Sequence, residues 1–220
     1  MRFAVFVYPG AEPIDLATFG VLSMARRVEP GIEITTVAGE AGIVELASGL
    51  QIVSRYGIDD FPGADVLIVT GGPGWEAAAK DPKIQAFLRC AAVDSVMVSV
   101  CTGAMILAAA GVLDGRRATT KREVVAGETS PAAILAKRPG VEVVKANVVD
   151  EGRVITGGGV TLCIDTMLHL LKRYFGGAKA DEVARIIEYA RAWKANGEAL
   201  PALERGECGA AAPAPAHQRS

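Results

Sequence analysis

The chain has 220 residues, half of them hydrophobic, and a formal net charge of −2, which suits one globular domain with a large apolar core. Without a dense run of lysine and arginine it has no electrostatic basis for binding nucleic acid or a membrane surface, and no apolar run reaches the ~18–20 residues of a membrane helix. The four cysteines are widely spaced and the N-terminus lacks a secretion signal, so we expect reduced thiols in a cytoplasmic protein.

The first half of the chain alternates between apolar strands and amphipathic helices. The hydrophobic periodicity and the turn residues set the element boundaries. The predicted elements are a buried strand (2–8), a helix (13–28), a strand (32–38), a hairpin turning at Ser48-Gly49 (42–56), a buried strand (64–72) and a helix that begins at Asp81-Pro82.

The second half repeats this alternation around a strand–Cys–helix unit. Its predicted elements are that unit (95–111), a short strand (114–120), a weaker helix (122–138), strands around an Asp-Glu-Gly turn (141–159), a helix from an N-cap at Thr161 to Gly176, and one further helix (180–193). The small, Pro-rich residues that follow predict a disordered tail. We therefore expect a single domain over 1–195 and a tail over 196–220.

Most predicted strands are apolar on both faces, which indicates a mostly parallel sheet covered by helices on each side. In such sheets ligands bind beyond the carboxyl ends of the strands. The glycine-rich and polar features all fall at those ends: Pro9-Gly10, Gly71-Gly72, Cys101-Thr102 and Gly157–Gly159. The sequence thus predicts a functional site at this edge of the sheet.

Cys101 lies at the junction between an apolar strand and the next helix. A tight turn there would expose the sulfur, and the helix N-terminus would favour thiolate over thiol and hold a developing negative charge. Free cysteines are also among the residues most often buried in a core. Residue spacing alone leaves both interpretations of Cys101 open.

A nucleophilic thiol needs a partner, and neither histidine follows a strand end. His169 lies inside a predicted helix, where a structural role is expected, and His217 lies in the tail, so we do not expect a Cys–His triad. Asp15, just after the first strand, is the candidate acid; burial beside the thiol would raise its pKa and let it donate a proton. Glu12 is a rival that we expect outside the pocket, since it precedes Pro13.

Other residues at the strand ends are weaker candidates. Gly72 could direct a backbone N–H toward the same oxyanion as the helix after Cys101. Cys90 and Cys163 lie on predicted helix faces and are interpreted as core residues, while Cys208 in the tail has no evident role.

Four stretches together resemble the ThiJ/PfpI superfamily over about residues 2–190, and within it the isonitrile hydratase branch. They are YPGAEPIDLATFG, VTGGPGWEAAAKDP, SVCTGAMILAAAGVLDGRRATT and ITGGGVTLCIDTMLHLL. The resemblance implies a flavodoxin-like α/β three-layer sandwich, related to class I glutamine amidotransferases, with a nucleophile elbow.

The resemblance also implies roles for four residues. Cys101 takes the place of the nucleophile and Asp15 that of the acid that hydrogen-bonds the thiol. Thr102 would contact the substrate through its N–H and hydroxyl, and Gly72 would lie on the oxyanion side. It further implies a homodimer that uses neither a metal nor an organic cofactor.

Two positions depart from the superfamily's pattern. Thr102 follows the cysteine where protease-like members have histidine, which argues against peptidase activity. Lys121 follows the ATT stretch where many members have histidine. We expect Lys121 to face solvent; in the pocket, it would favour the thiolate electrostatically.

The function that the resemblance implies is a cysteine-dependent hydratase, a lyase that converts an isonitrile into an N-substituted formamide through a Cys101 thioimidate. One alternative is a glyoxalase- or amidase-like enzyme acting on small carbonyl substrates. Another is a non-catalytic thiol redox sensor or ligand-binding module. The expected partners are a small-molecule substrate and a second copy of the chain, with no nucleic acid and no membrane.

Overall fold

Strands and helices alternate along the protein, and a computed structural model describes residues 1–205. The strands are β1 (Arg2–Phe6), β2 (Glu33–Ala38), β3 (Gly42–Glu45), β4 (Gln51–Ser54), β5 (Tyr56–Gly57), β6 (Val66–Val69), β7 (Val96–Ser99), β8 (Arg116–Ala118), β9 (Val141–Val143), β10 (Val148–Asp150), β11 (Val154–Gly157) and β12 (Leu203–Glu204). The helices are α1 (Ala17–Ala25), α2 (Trp75–Lys80), α3 (Pro82–Asp94), α4 (Gly103–Ala109), α5 (Pro131–Leu135), α6 (Cys163–Phe175), α7 (Gly177–Ile186) and α8 (Ala190–Ala199).

An eight-stranded sheet in the order β12-β10-β11-β7-β6-β1-β2-β5 runs through the middle of the molecule. All of its pairs are parallel except β10 with β11. The central strands β6 and β7 are buried along their whole length, as their uninterrupted apolar sequences predict. The predicted mostly parallel sheet is therefore confirmed.

Helices cover the sheet in two separate layers. One layer contains α1, α6 and α7, which pack against one another, and the other contains α2, α3, α4 and α5. The fold is thus the flavodoxin-like three-layer α/β sandwich that the sequence predicts.

Four adjacent parallel strands bring the predicted strand-end features to one edge of the sheet. In the order β11-β7-β6-β1, their carboxyl ends precede Gly158, Cys101, Gly71 and Tyr8. β1 pairs with β2 on one side and with β6 on the other, and β7 lies beyond β6. This reversal of strand order opens the crevice in which such folds bind ligands.

Several local predictions are confirmed. Asp81 caps α3, its carboxylate accepting the Lys83 N–H at 2.8 Å. The hairpin forms from β3 and β4 with Ser48 and Gly49 both at positive φ, and Gly176, with a φ of 91°, ends α6.

Three predicted helices differ from the structure. The helix over 122–138 is reduced to α5, because its glycine and the Ser130-Pro131 pair allow a helix to begin only at Pro131. The single helix over 180–193 is two helices, separated by Glu188 with a φ of 57°. α6 begins at Cys163 after Leu162, so Thr161 is not its N-cap.

The predicted boundary of the tail at residue 196 is wrong. α8 continues to Ala199, and β12 then pairs with Val149 and Asp150 of β10. The remainder of the predicted tail, with Cys208 and His217, lies outside the described residues. Across residues 1–205 the helices are all too short or too polar to cross a membrane.

Candidate active site

Cys101 occupies the turn between β7 and α4 with a φ of 52°. This left-handed conformation costs a residue other than glycine about 1–3 kcal/mol, so neighbouring contacts must hold it. The Cys101 N–H donates to the Gly158 carbonyl at 3.0 Å, and the Thr120 hydroxyl donates to the Cys101 carbonyl at 2.6 Å. The backbone geometry is that of the predicted elbow.

The sulfur is more buried than the elbow predicts, since only 3% of Cys101 is exposed. Two glycines pack directly on it: a methyl group on Gly159 would lie 2.8 Å from Sγ, and one on Gly71 would lie 2.7 Å from Cβ. The turn therefore directs the sulfur toward the base of a cavity, and the expectation of an exposed thiol is wrong.

Asp15 is fully buried in a 3-10 turn, Pro13–Leu16, that follows β1. Its Oδ2 accepts the Gly71 N–H at 2.7 Å, whereas its Oδ1 has no hydrogen-bond partner. Burial raises the pKa of Asp15 to about 7, and the nearby charge of Glu12 adds to the rise. The predicted increase is confirmed, and a proton on this carboxyl belongs on Oδ1, the oxygen without a donor.

The predicted hydrogen bond between Asp15 and Cys101 is not present among the described residues. Asp15 instead acts on the thiol through its charge. Burial and the Asp15 carboxylate raise the pKa of Cys101 to about 12, against the smaller opposing effects of Thr102 and Lys121. The expectation of a readily ionised thiolate is therefore wrong, because desolvation outweighs the dipole of the short helix α4.

Thr102 connects the elbow to the loop after β6. Its Oγ1 accepts the Gly72 N–H at 2.8 Å and lies 3.2 Å from the Gly72 carbonyl, to which it can donate. The Gly72 N–H predicted for an oxyanion is thus already bonded to this hydroxyl. In this arrangement the Gly72 N–H orients the Thr102 hydroxyl.

A cavity of about 550 Å³ opens above Cys101 and Thr102. The other residues that line it are Glu12, Gly72, Pro73, Trp75, Glu76, Lys121, Val124, Glu128, Thr129, Pro131, Ile134 and Val160. Two expectations are corrected here: Glu12 lies in the cavity wall, and Lys121 lines the cavity as well. The charge of Lys121 lowers the pKa of both Asp15 and Cys101, while its ammonium group donates to the Glu123 carbonyl.

Tyr8 also lies in this group of residues, although we did not predict it from the sequence. It is 1% exposed, lies two residues after the end of β1, and its hydroxyl has no hydrogen-bond partner. Burial and the charges of Asp15 and Cys101 raise its pKa, so the phenol stays protonated next to the thiol and the acid. Tyr8 could have been predicted from the sequence, because it is a polar residue at the end of a strand, as Cys101 is, and Gly71 follows the neighbouring strand.

The other histidine and cysteine side chains within residues 1–205 do not line the cavity. The His169 Nε2 lies 2.9 Å from Asp150 Oδ2, beside Arg173, which confirms its structural role. Cys163 is buried, as predicted, but Cys90 is exposed and its assignment to the core is wrong. In residues 1–205 no three His, Cys, Asp or Glu side chains are grouped so as to hold a metal ion.

Comparison with known proteins identifies a family. The model of the DJ-1/PfpI family matches residues 1–173. Isonitrile hydratase of Pseudomonas putida is 32% identical over 194 residues, which cover 87% of this chain and 80% of that enzyme. The transcriptional regulator GbdR of Pseudomonas aeruginosa is 29% identical over 189 residues, and the chain spans about half of its length, 49%.

A solved structure supports the same relationship. The crystal structure of a ThiJ/PfpI family protein from Pseudomonas syringae matches with a TM-score of 0.74 and 30% sequence identity. The match covers 86% of this chain and 74% of that protein. The resemblance inferred from the four sequence stretches is confirmed.

Proposed function

Because the chain belongs to the DJ-1/PfpI family, we propose that it is a hydratase of the isonitrile hydratase type with Cys101 as its nucleophile. The observation that carries the proposal is the elbow geometry of Cys101 at the base of a cavity, next to a buried acid with a free oxygen. The 32% identity to isonitrile hydratase over 87% of the chain supports this reaction over others. The substrate is an isonitrile, R–N≡C, and the product is the formamide R–NH–CHO.

In the first step Asp15 moves a proton. With Cys101 a thiol at rest, the ionised carboxyl takes the thiol proton on Oδ1 as Sγ attacks the terminal carbon of the isonitrile. The same proton then passes from Asp15 to that carbon. One S–C bond and one C–H bond form, and the product is a thioimidate, R–N=CH–S–Cys101.

In the second step water completes the hydration. Water adds to the thioimidate carbon, the nitrogen gains a proton, and the C–S bond breaks to release the formamide and the Cys101 thiol. One proton of water goes to the nitrogen and the other to the departing sulfur, and Asp15, with a pKa of about 7, can accept and deliver each in turn. Thr102 binds the substrate through its hydroxyl, whose orientation Gly72 fixes.

Turnover by matched variants tests the proposal. Wild-type protein incubated with cyclohexyl isonitrile should yield the N-cyclohexyl formamide, and Cys101→Ala should yield none above the uncatalysed rate. Cys90→Ala, which removes an exposed thiol that does not line the cavity, should retain wild-type turnover. Absence of formamide with the wild type, or equal turnover by Cys101→Ala, contradicts the proposal.

Related assays distinguish the alternative functions from the proposed hydratase. Lactate formed from methylglyoxal, without formamide from an isonitrile, would favour the glyoxalase-like alternative. A redox sensor needs an accessible thiolate, and the burial and raised pKa of Cys101 disfavour one. Binding of small molecules without any turnover would favour a ligand-binding module, as the similarity to a regulator allows.

A further inference from the structure

The cavity above Cys101 has an unequal distribution of charge. Three carboxylates line it, those of Glu12, Glu76 and Glu128, against the single ammonium group of Lys121. Glu76 is partly offset by Lys80 at 3.5 Å, but both side chains are more than 60% exposed, so this pair contributes little. The wall of the cavity is therefore net negative around the position that a substrate must occupy.

Of these three carboxylates, Glu12 has the strongest electrostatic effect on the reacting groups. It is partly buried, and its backbone is fixed on both sides of the site: its N–H donates to the Gly71 carbonyl at 2.8 Å, and its carbonyl accepts the Asp15 N–H at 3.0 Å. Its charge is among the causes that raise the pKa of Asp15. The field of Glu12 thus reaches the base of the cavity rather than being lost in solvent.

The rest of the wall is apolar and aromatic. Trp75, Val124, Ile134 and Val160 face the same space. Such a surface accepts a neutral hydrocarbon group, and an indole also attracts a cation that lies over its face. An anionic group would lose water there and, among the described residues that line the cavity, would find one cationic side chain, Lys121, whose ammonium group is already bonded to the Glu123 carbonyl.

We infer that this cavity selects molecules with a neutral or positively charged group beyond the reacting atom and rejects carboxylates, with Glu12 as the main specificity-determining residue. The inference that such molecules are the substrates rests on the proposed function. The inference that such molecules reach the Cys101 sulfur more readily than carboxylates does not depend on it.

Thiol labelling tests the inference without any assumption about turnover. Three methanethiosulfonates of similar size, with a trimethylammonium, a neutral methyl or a sulfonate group, are reacted with the full-length protein. Modification of Cys101 is followed by peptide mass spectrometry and normalised to the same reagents on glutathione. The normalised ratio of cationic to anionic rates should be about tenfold, and should decrease as salt is added.

Matched variants test whether Glu12 causes this charge selectivity. Glu12→Gln should lower the ratio about threefold or more. Glu142→Gln, which removes an exposed carboxylate on β9, should leave it unchanged. Because both reagents react with the same thiol, a change in its reactivity cancels in the ratio. A ratio equal to that of glutathione, no change in Glu12→Gln, or no reaction of Cys101 with any reagent would overturn the inference.

Turnover of three isonitriles, bearing an alkyl, an ammonium-alkyl and a carboxylate group, separates this inference from the proposed function. Selective labelling without formamide from any of the three contradicts the proposed function and leaves the selectivity standing. Formamide formed equally fast from all three, with unselective labelling, supports the proposed function and overturns the selectivity.

Discussion

Asp15 reduces the stability of the folded protein at neutral pH because its carboxyl group is buried and one oxygen has no partner. Its pKa rises from 3.8 to about 7 on folding. Below pH ~4 both the folded and unfolded states hold this proton, so the group costs nothing. As pH rises from there to about 7 the unfolded chain releases the proton first, and the free energy of unfolding falls.

Asp15→Asn should remove this pH dependence. Asparagine can still accept the Gly71 N–H but has no charge to bury. We expect the variant to be more stable than the wild type at pH 8, by up to about 4 kcal/mol, with the difference shrinking toward pH 4. Urea unfolding at a series of pH values measures it. A wild-type pH dependence that persists in the variant would show that Asp15 is not the buried acid described.

If the proposed reaction is correct, the same residue also sets the pH dependence of turnover. The proposed reaction begins with a Cys101 thiol and an ionised Asp15, so kcat/KM for an isonitrile should rise with pH through an apparent pKa of about 7. In Asp15→Asn the rate should be lower throughout and should lack this rise. A rise near pH 7 that survives in the variant would assign the proton transfer to another group.

At single positions, the sequence predicted where the candidate residues lie better than it predicted their electrostatics. Cys101 and Asp15 were chosen as candidates because both follow strand ends, and the same rule could have added Tyr8. The pKa of the Cys101 thiol was predicted in the wrong direction, because it depends on how completely Gly71 and Gly159 exclude water. This packing cannot be predicted from the sequence, because it depends on which strands are neighbours in the sheet.

The loop after β11 is the element that encloses the sulfur. Gly159→Ala would place a methyl group 2.8 Å from Sγ and 3.0 Å from the Cys101 Cα, so the loop must move away and weaken the bond from Cys101 to Gly158. We expect kcat/KM to fall roughly tenfold to a hundredfold, as misplacement of reacting groups does. Gly197→Ala in α8, where an added methyl meets nothing within 4 Å, is the control. Steady-state kinetics that are equal for the two variants would contradict this account of the loop.

Elements with strong local signals were predicted within a few residues, such as the helix capped by Asp81. The errors fall where tertiary contacts override periodicity. The apolar pattern over 180–193 continues across Glu188, although the chain turns there so that α8 can pack on α7. The predicted helix over 122–138 is mostly the loop that carries Lys121, Val124 and Glu128 to the cavity.

For the whole molecule, the layer order followed from the alternation of apolar strands with helices, and this part of the prediction is confirmed. The order of strands was not contained in that pattern. It decides which strand ends are neighbours, and therefore that Cys101, Asp15 and Tyr8 share one site rather than lying along the sheet edge.

We propose that two copies of the chain associate through the β3–β4 hairpin. Ile43 and Val53 are directly opposite each other on this hairpin and are 72% and 71% exposed, an apolar pair that a symmetric second copy would cover. Light scattering should give a dimer for the wild type and a monomer for Val53→Lys. Val93→Lys, at an equally exposed position on α3, should remain dimeric. A monomeric wild type, or a dimeric Val53→Lys, contradicts this interface.

The most direct measurement is detection of the covalent intermediate that we propose on Cys101. Protein mixed with excess isonitrile and quenched during turnover should gain the mass of one isonitrile, because addition of the thiol across the terminal carbon loses no atoms. Peptide mapping should place that mass on Cys101, and Asp15→Asn should change the amount of adduct without moving it. Formamide production with no mass on Cys101 at any quench time would contradict the account.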